Sequence, residues 1–381
     1  MKLSSVLQSL RLEVPLVDLK AQWSTLAPEI RPAIDSVLEH ANFILSEDVE
    51  KFEQEFAAYL GSRYCIGVAS GADAIMLALE ACGIGSGDEV LVPANTYVAT
   101  VSAICHRGAR PVFVDIDERT FLMDFKDAKA KATPRTRAII PVYLYGRAMD
   151  MGPLLGWAAN RQCRIIEDAC QAHGSRINGV MAGCWGEVGC FSFYPGKNLG
   201  CYGDGGAVVT NNPDIAKCIS ILRNQGQEGK YIHTRKGYNS RLDSLQSAVL
   251  RVKLRYLDRW NDQRRRWATH YEQGLSDIPE LTLPSWDKSK PQGHVFHLYV
   301  IRTSRRDELL RHLRDNGVGA QMHYPIPVHL QEGYRDLGFC KGDLPVCERV
   351  AAEILSLPMY PELTQEKADY VVNRIKEFFR S

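Results

Sequence analysis

No stretch of this 381-residue sequence stays apolar for long enough to cross a membrane. The amino-terminal "MKLSSVLQSLRLEVPLVDLK" breaks its apolar residues with Ser, Gln, Arg, Glu and Asp, so it does not read as a signal peptide. Excess charge is missing too: 46 Lys and Arg stand against 45 Asp and Glu, a net charge of +1. With no basic stripe and no helix-turn-helix pattern, that balance argues against nucleic acid or an anionic membrane surface as partner. Metal-ligand spacing is absent, because Cys184 and Cys190 in "GCWGEVGC" are too far apart for a CxxC pair and no second pair follows. The 11 cysteines are an odd number, and Cys65, Cys82, Cys105 and Cys190 lie inside apolar runs, where small buried thiols belong. These features predict a reducing, cytoplasmic setting and no metal. Neither GxGxxG nor GxxxxGKS/T occurs, which weighs against a dinucleotide site and a P-loop. Internal repeats and low-complexity segments are also lacking.

What remains is ordinary globular composition, 45% hydrophobic and 24% charged, in a chain long enough for two domains. From Arg63 onward, short buried-strand patterns alternate with helical ones. "YCIGVAS", "EVLVP", "PVFVD", "AIIPVYLY", "RIIED", "CFSFY" and "GAVVTN" have strand length and β-branched or aromatic content. Between the early ones lie amphipathic stretches such as "ADAIMLALEAC", with Ala72, Ile75, Leu79 and Cys82 on one face. The alternation predicts an α/β fold around a mainly parallel sheet covered on both sides, its last two strands antiparallel neighbours. After Asn239 the pattern predicts one long helix through "SRLDSLQSAVLRVKLRYLDRWNDQRRRWATHYEQGL", then a strand, "FHLYVIRT", and further helices. A large domain over residues 1–259 and a smaller α/β domain over 260–381 follow, with the first sixty residues as helical decoration on the large one.

Four segments carry chemistry. In "VASGADAIMLAL" a strand meets a helix at Ser70-Gly71-Ala72; the first amides of a helix lack intrahelical partners and suit a phosphate. In "RIIEDACQAHG", Asp168 stands at the carboxyl end of a strand, where parallel sheets present their ligand sites. In "FSFYPGKNLG", Lys197 stands where the chain leaves a buried strand. In "GYNSRLDSLQSAVL", Asn239, Arg241 and Asp243 precede a helix. Singly, these have plain readings: a tight turn, a structural carboxylate, a surface lysine and a helix cap. Jointly they describe a phosphate, a ring cation facing a carboxylate, and an amine within reach. That ligand is pyridoxal phosphate, held by a lysine Schiff base.

"EDACQAHG", "FSFYPGKNLGCYGDGGAVVTN", "GYNSRLDSLQSAVLRVKLRYLD" and "YPIPVHLQ" resemble the DegT/DnrJ/EryC1/StrS family of sugar aminotransferases over nearly the whole chain. The resemblance implies a pyridoxal-phosphate enzyme of fold type I, with a seven-stranded sheet, acting as a homodimer with shared sites. It implies Lys197 as the Schiff-base lysine, Asp168 as partner of the pyridine nitrogen, and Ser70, Gly71, Ala72 and Ser192 around the phosphate. Asn239 reaches the phosphate from the other subunit, Gln171 lies near the ring hydroxyl and Tyr97 covers the ring face. "PANTYVATVSAI" and the lysine motif look most like the branch that aminates 3-oxo sugars on dTDP, with glutamate as donor. That likeness gives Tyr194, Lys230, His323 and Tyr324 to the nucleotide sugar, while His173 reads as packing. The related sugar dehydratases carry histidine where Lys197 stands, and a non-catalytic binding module does not need the full set.

Overall fold

The computed structural model describes residues 12–380; the first eleven residues of the amino-terminal stretch lie outside it. Two helices, α1 (Leu19–His40) and α2 (Glu47–Leu60), come first. There follow β1 (Tyr64–Val68), α3 (Gly71–Ala81), β2 (Glu89–Pro93), α4 (Val98–His106), β3 (Arg110–Val114) and α5 (Phe125–Lys131). The sheet is completed by β4 (Thr136–Ile139), α6 (Gly152–Arg161), β5 (Arg164–Asp168), β6 (Val188–Ser192) and β7 (Gly206–Thr210). The strands lie in the order β1-β7-β6-β5-β4-β2-β3. All neighbouring pairs from β6 to β3 are parallel, and β7 runs antiparallel to both β6 and β1. This is the mainly parallel sheet that the strand-helix alternation predicts, with the seven strands that the family resemblance implies.

Its strands read as continuous apolar runs because both faces are covered. Alternate residues serve different cores: Val90, Val92, Ile166 and Cys190 pack with α3 and α4, and Leu91, Ile165 and Phe191 pack with α2 and α6 on the other face. The two cores hold every strand in register, so the carboxyl ends of β5 and β6 are fixed side by side, Asp168 opposite Cys190.

Beyond the sheet come α7 (Pro213–Leu222), α8 (Ser244–Leu254), α9 (Leu257–Leu275), β8 (Tyr299–Arg302), α10 (Arg306–Asp315), α11 (Pro345–Glu353), β9 (Ile354–Leu357) and α12 (Gln365–Arg380). β8 and β9 pair antiparallel. Tyr271, Tyr299, Ile301, Leu313, Leu355 and Ile375 form a separate core there, while Val300, Val350 and Ile354 pack onto the core of the large sheet. α9 crosses the expected division near Trp260, with Leu257 in the sheet's core and Ala268 onward in the small one.

Three expectations need correction. The single long helix is two, α8 and α9, parted at Arg255–Tyr256 because they serve different partners: α8 packs on α1 and α2, α9 on α12. "AIIPVYLY" is not strand throughout. β4 stops at Ile139 before Pro141; Val142 still bridges to Asp168, with the Tyr143 amide on the Asp168 carbonyl at 3.0 Å, and the chain then turns through Tyr145 at φ 59°. Finally, the amino-terminal segment does not all decorate the large domain. Val14 is buried in the small core and pairs with Val318, an approach that leaves no room for a Cβ on Gly319, 2.6 Å from the Leu16 nitrogen.

Candidate active site

Three chain segments converge at the carboxyl ends of β5 and β6. The first is the start of α3. Ser70 caps it, its hydroxyl accepting from the Asp73 amide at 3.1 Å and its carbonyl from the Ala74 amide at 3.0 Å. That leaves the Gly71 and Ala72 amides, first in the helix, for an outside acceptor, with the helix dipole favouring an anion. Gly71 has no side chain because Ser192 lies against it: a Cβ there would stand 2.6 Å from the Ser192 Cβ and 2.9 Å from the Cys170 sulfur. Ser192 is thus pressed to the helix start, where its hydroxyl can join the same anion.

The second segment carries Asp168, buried at 5% exposure. Its Oδ1 accepts from the Cys170 amide at 3.1 Å and its Oδ2 from the Thr100 hydroxyl at 2.7 Å. Since Thr100 has one proton and spends it on Asp168, Thr96, 2.9 Å away, donates to Thr100. The two threonines orient the carboxylate from behind.

The third segment is the turn that carries Lys197, closed by the Lys197 amide on the Tyr194 carbonyl at 2.8 Å. Lys197 is half-buried, and burial lowers its amine pKa, an effect partly offset by nearby Cys170 and Asp168. The surrounding imidazoles stay neutral: burial and the Lys197 charge push His173 down to about 3 and His323 to about 4, and His297 well below its ordinary value. The turn is held from the core side. Asn198 donates to Asn261 at 2.8 Å and to the Val295 carbonyl at 3.1 Å. Lys253, only 1% exposed, donates to the Gly200 carbonyl at 2.7 Å, its ammonium 4.1 Å from the Tyr202 ring centre.

On the solvent side Tyr97 and Tyr324 meet with ring centres 5.6 Å apart. Gln171 is buried between the layers, accepting from the Tyr145 amide at 2.7 Å and donating to the Tyr324 hydroxyl at 3.4 Å. His323 bonds to Ser356 at 2.8 Å, and its carbonyl accepts from the Tyr145 hydroxyl. Tyr194 is exposed beside the turn. His173 is packing, as expected, between Phe191 and Phe193. Two expected residues stand apart within one chain. Asn239 is exposed and bridges to Asn224 through backbone, and Lys230 sits on an exposed hairpin over Tyr231. Thr96, Thr100, Asn261, Lys253 and His297 belong to the site without having been read from the sequence; only Asn198 carried a signal, as Lys197's neighbour.

An amine, a buried carboxylate and a helix start free to take a phosphate, around a space edged by Tyr97, fit one chemistry. A phosphorylated pyridine aldehyde offers one group to each of the three, and a groove of about 680 Å³ lined by Arg137, Cys163, Arg164 and Trp185 lies away from them, at the amino-terminal ends of β4 and β5. The fold and site define a pyridoxal-phosphate-dependent enzyme of the α/β class. The chain belongs to the DegT/DnrJ/EryC1/StrS aminotransferase family, whose model matches residues 24–376, and it is a sugar aminotransferase.

It is 45% identical over 365 residues to a dTDP-3-amino-3,4,6-trideoxy-alpha-D-glucose transaminase of Streptomyces venezuelae, covering 96% of each chain. It is 44% identical over 369 residues to a protein of Geobacillus stearothermophilus called a pleiotropic regulatory protein, covering 97% of this chain and 99% of that one. The crystal structure of S. venezuelae DesV in complex with a ketimine intermediate superposes with a TM-score of 0.94 at 45% identity, covering 97% and 99%. A Bacillus subtilis relative of known structure, 31% identical with a TM-score of 0.87 and covering 96% and 83%, holds the aminated form of the cofactor.

Proposed function

We propose that this enzyme passes an amino group from glutamate to the C3 ketone of a dTDP-linked 3-oxo-6-deoxyhexose, working as a homodimer with shared sites. The observation that carries the reading is the rim. Tyr194, 60% exposed, stands with Tyr324 and His323 by the Lys197 turn, two phenols and a neutral imidazole suited to sugar hydroxyls, while Tyr97 meets the Tyr324 ring beside them. Lys230 on its hairpin supplies the cation for the diphosphate. Asn239, exposed in one chain, reaches the phosphate site of a second copy. The name of the Streptomyces venezuelae relative supports C3 and dTDP. Residues 1–259 form the cofactor-binding domain in this reading, and 260–381 the smaller one.

The cofactor, when bound, carries the amino group and withdraws electrons from the reacting carbon. Gly71, Ala72, Ser70 and Ser192 would hold its phosphate, and Asp168 would face its ring nitrogen. The lowered pKa of Lys197 leaves more of its amine unprotonated near neutral pH, so its Nζ serves as both nucleophile and proton carrier. Gln171 and Tyr97 orient the ring.

The choice between C3 and C4 is a choice of how far the sugar slides past a fixed point. A site built to hydrogen-bond particular hydroxyls rejects a misregistered analogue by roughly 10⁴-fold. The test offers 3-oxo and 4-oxo-6-deoxyhexoses, on dTDP and on UDP, with glutamate, and locates the new C–N bond by NMR. Amination at C3 on dTDP is expected. Efficient amination at C4 with the 3-oxo sugar inert, or a preference for UDP, overturns this substrate reading.

A further inference from the structure

Asn261 lies on α9 at 1% exposure, behind the Lys197 turn and away from the space for cofactor or sugar. Its side-chain oxygen accepts from Nδ2 of Asn198 at 2.8 Å, and its own Nδ2 donates to the His173 carbonyl at 2.9 Å. Asn198 directly follows Lys197, and His173 ends the loop that leaves Asp168. One buried amide therefore joins the two segments whose side chains must meet across a single ring. Asn198 in turn is held by the Val295 carbonyl at 3.1 Å and by His297 at 3.3 Å. The fit is close: a Cβ on Gly174, at φ +83°, would stand 2.7 Å from Nδ2 of Asn261. An apolar side chain would fill this volume without desolvating an amide. What the amide pair adds is fixed direction and length, and buried networks with every member matched are rigid.

We propose that Asn261 is a positioning residue: it sets the spacing between the Lys197 turn and the Asp168 loop, so that amine and carboxylate engage one cofactor together. The proposal rests on Lys197 and Asp168 both acting on the cofactor, and is independent of which sugar is aminated.

The test uses the full-length enzyme loaded with pyridoxal phosphate. Asn261→Leu keeps the volume and loses both bonds. Its readouts are the pH titration of the cofactor's visible band, the affinity of the apoprotein for pyridoxal phosphate, and turnover. Losing two buried hydrogen bonds predicts about tenfold weaker cofactor binding and about tenfold lower kcat, with KM for the sugar unchanged. The titration midpoint should move by about half a pH unit or more. Asn198→Ala should do the same, and the double variant should fall short of the sum because the two residues act as one. Tyr271→Phe, which removes a buried bond to the Pro358 carbonyl, 2.9 Å long, is the structural control. It should lower the melting temperature and leave the midpoint in place. An unmoved midpoint and unchanged cofactor affinity in Asn261→Leu overturn the proposal, whatever happens to its stability. If that variant fails to fold, an unmoved midpoint in Asn198→Ala does so. If borohydride reduction still fixes pyridoxal phosphate covalently to the Lys197→Ala protein, that instead faults the Lys197 assignment beneath it.

Discussion

On the core side of Lys197, Thr100, Asn198, Lys253 and Asn261 are buried and each hydrogen-bonds a fixed partner, whereas Tyr97 and Tyr194 on the other side are exposed, as are Lys230 and Asn239 farther off. The back wall is complete within one chain. The rim is a surface, and the hairpin that stands apart from it, with Tyr231 82% and Ile232 62% exposed, carries apolar side chains away from their own core. The difference separates two jobs. A matched buried network fixes the reacting groups, and breaking it leaves unpaired polar atoms that cost stability as well as rate. Exposed side chains can change with little effect on folding, so the rim is where substrate choice can vary over an unchanged chemistry.

The comparison breaks most sharply at the lysine itself. Lys197→Ala should fold, because the amine is not a structural anchor, and should lose at least roughly 10⁴-fold in turnover, nucleophile and proton carrier being removed together. Circular dichroism and a turnover assay check this, and wild-type rates would contradict it. Next in size is Thr100→Val, which deletes the 2.7 Å bond to Asp168 at nearly constant shape. A lost bond to a charged group predicts a fall of about tenfold to a hundredfold in kcat. At the rim, Tyr194→Phe should raise KM for the nucleotide sugar only about threefold, the value of one exposed hydrogen bond, with kcat and melting temperature unmoved. A Tyr194 variant that loses kcat as Thr100→Val does would erase the distinction between wall and rim.

The smallest effect is a slope. Burial holds the Lys253 amine at about 8, below the ordinary 10.5. Between those values the unfolded chain binds more protons than the native one, so this group's contribution to stability rises with pH. Lys253→Met removes that rise. Melting curves should show the wild type gaining on the variant as pH climbs through this window, and parallel curves would count against a buried amine.

The sequence points to Asp168, Lys197 and Gly71 as the proposed cofactor residues because they stand where strands end and a helix begins, and their types are informative there. The groups behind them were hidden by ordinary surroundings. Thr100 reads as one more residue of a helix, Lys253 as a basic residue in "RVKL", and Asn261 as part of the polar run "RWNDQRRRW". Nothing in local periodicity says that α9 turns Asn261 inward, since that follows from packing across residues far apart in the chain. The same blindness lengthened "AIIPVYLY" into strand. Its apolar content was read correctly, while the turn at Tyr145, whose amide goes to Gln171, was not.

The central proposal is that one chain supplies the buried wall and Asn239 of a second copy reaches its phosphate site. Mixing Asn239→Ala chains with Lys197→Ala chains tests it directly, with heterodimers confirmed by mass. If Asn239 serves the partner's site, each heterodimer has one site with both residues intact. Half the dimers in an equal mixture are heterodimers with one intact site of two, so about a quarter of wild-type activity should return. A mixture no more active than the mean of its two parents would contradict the account.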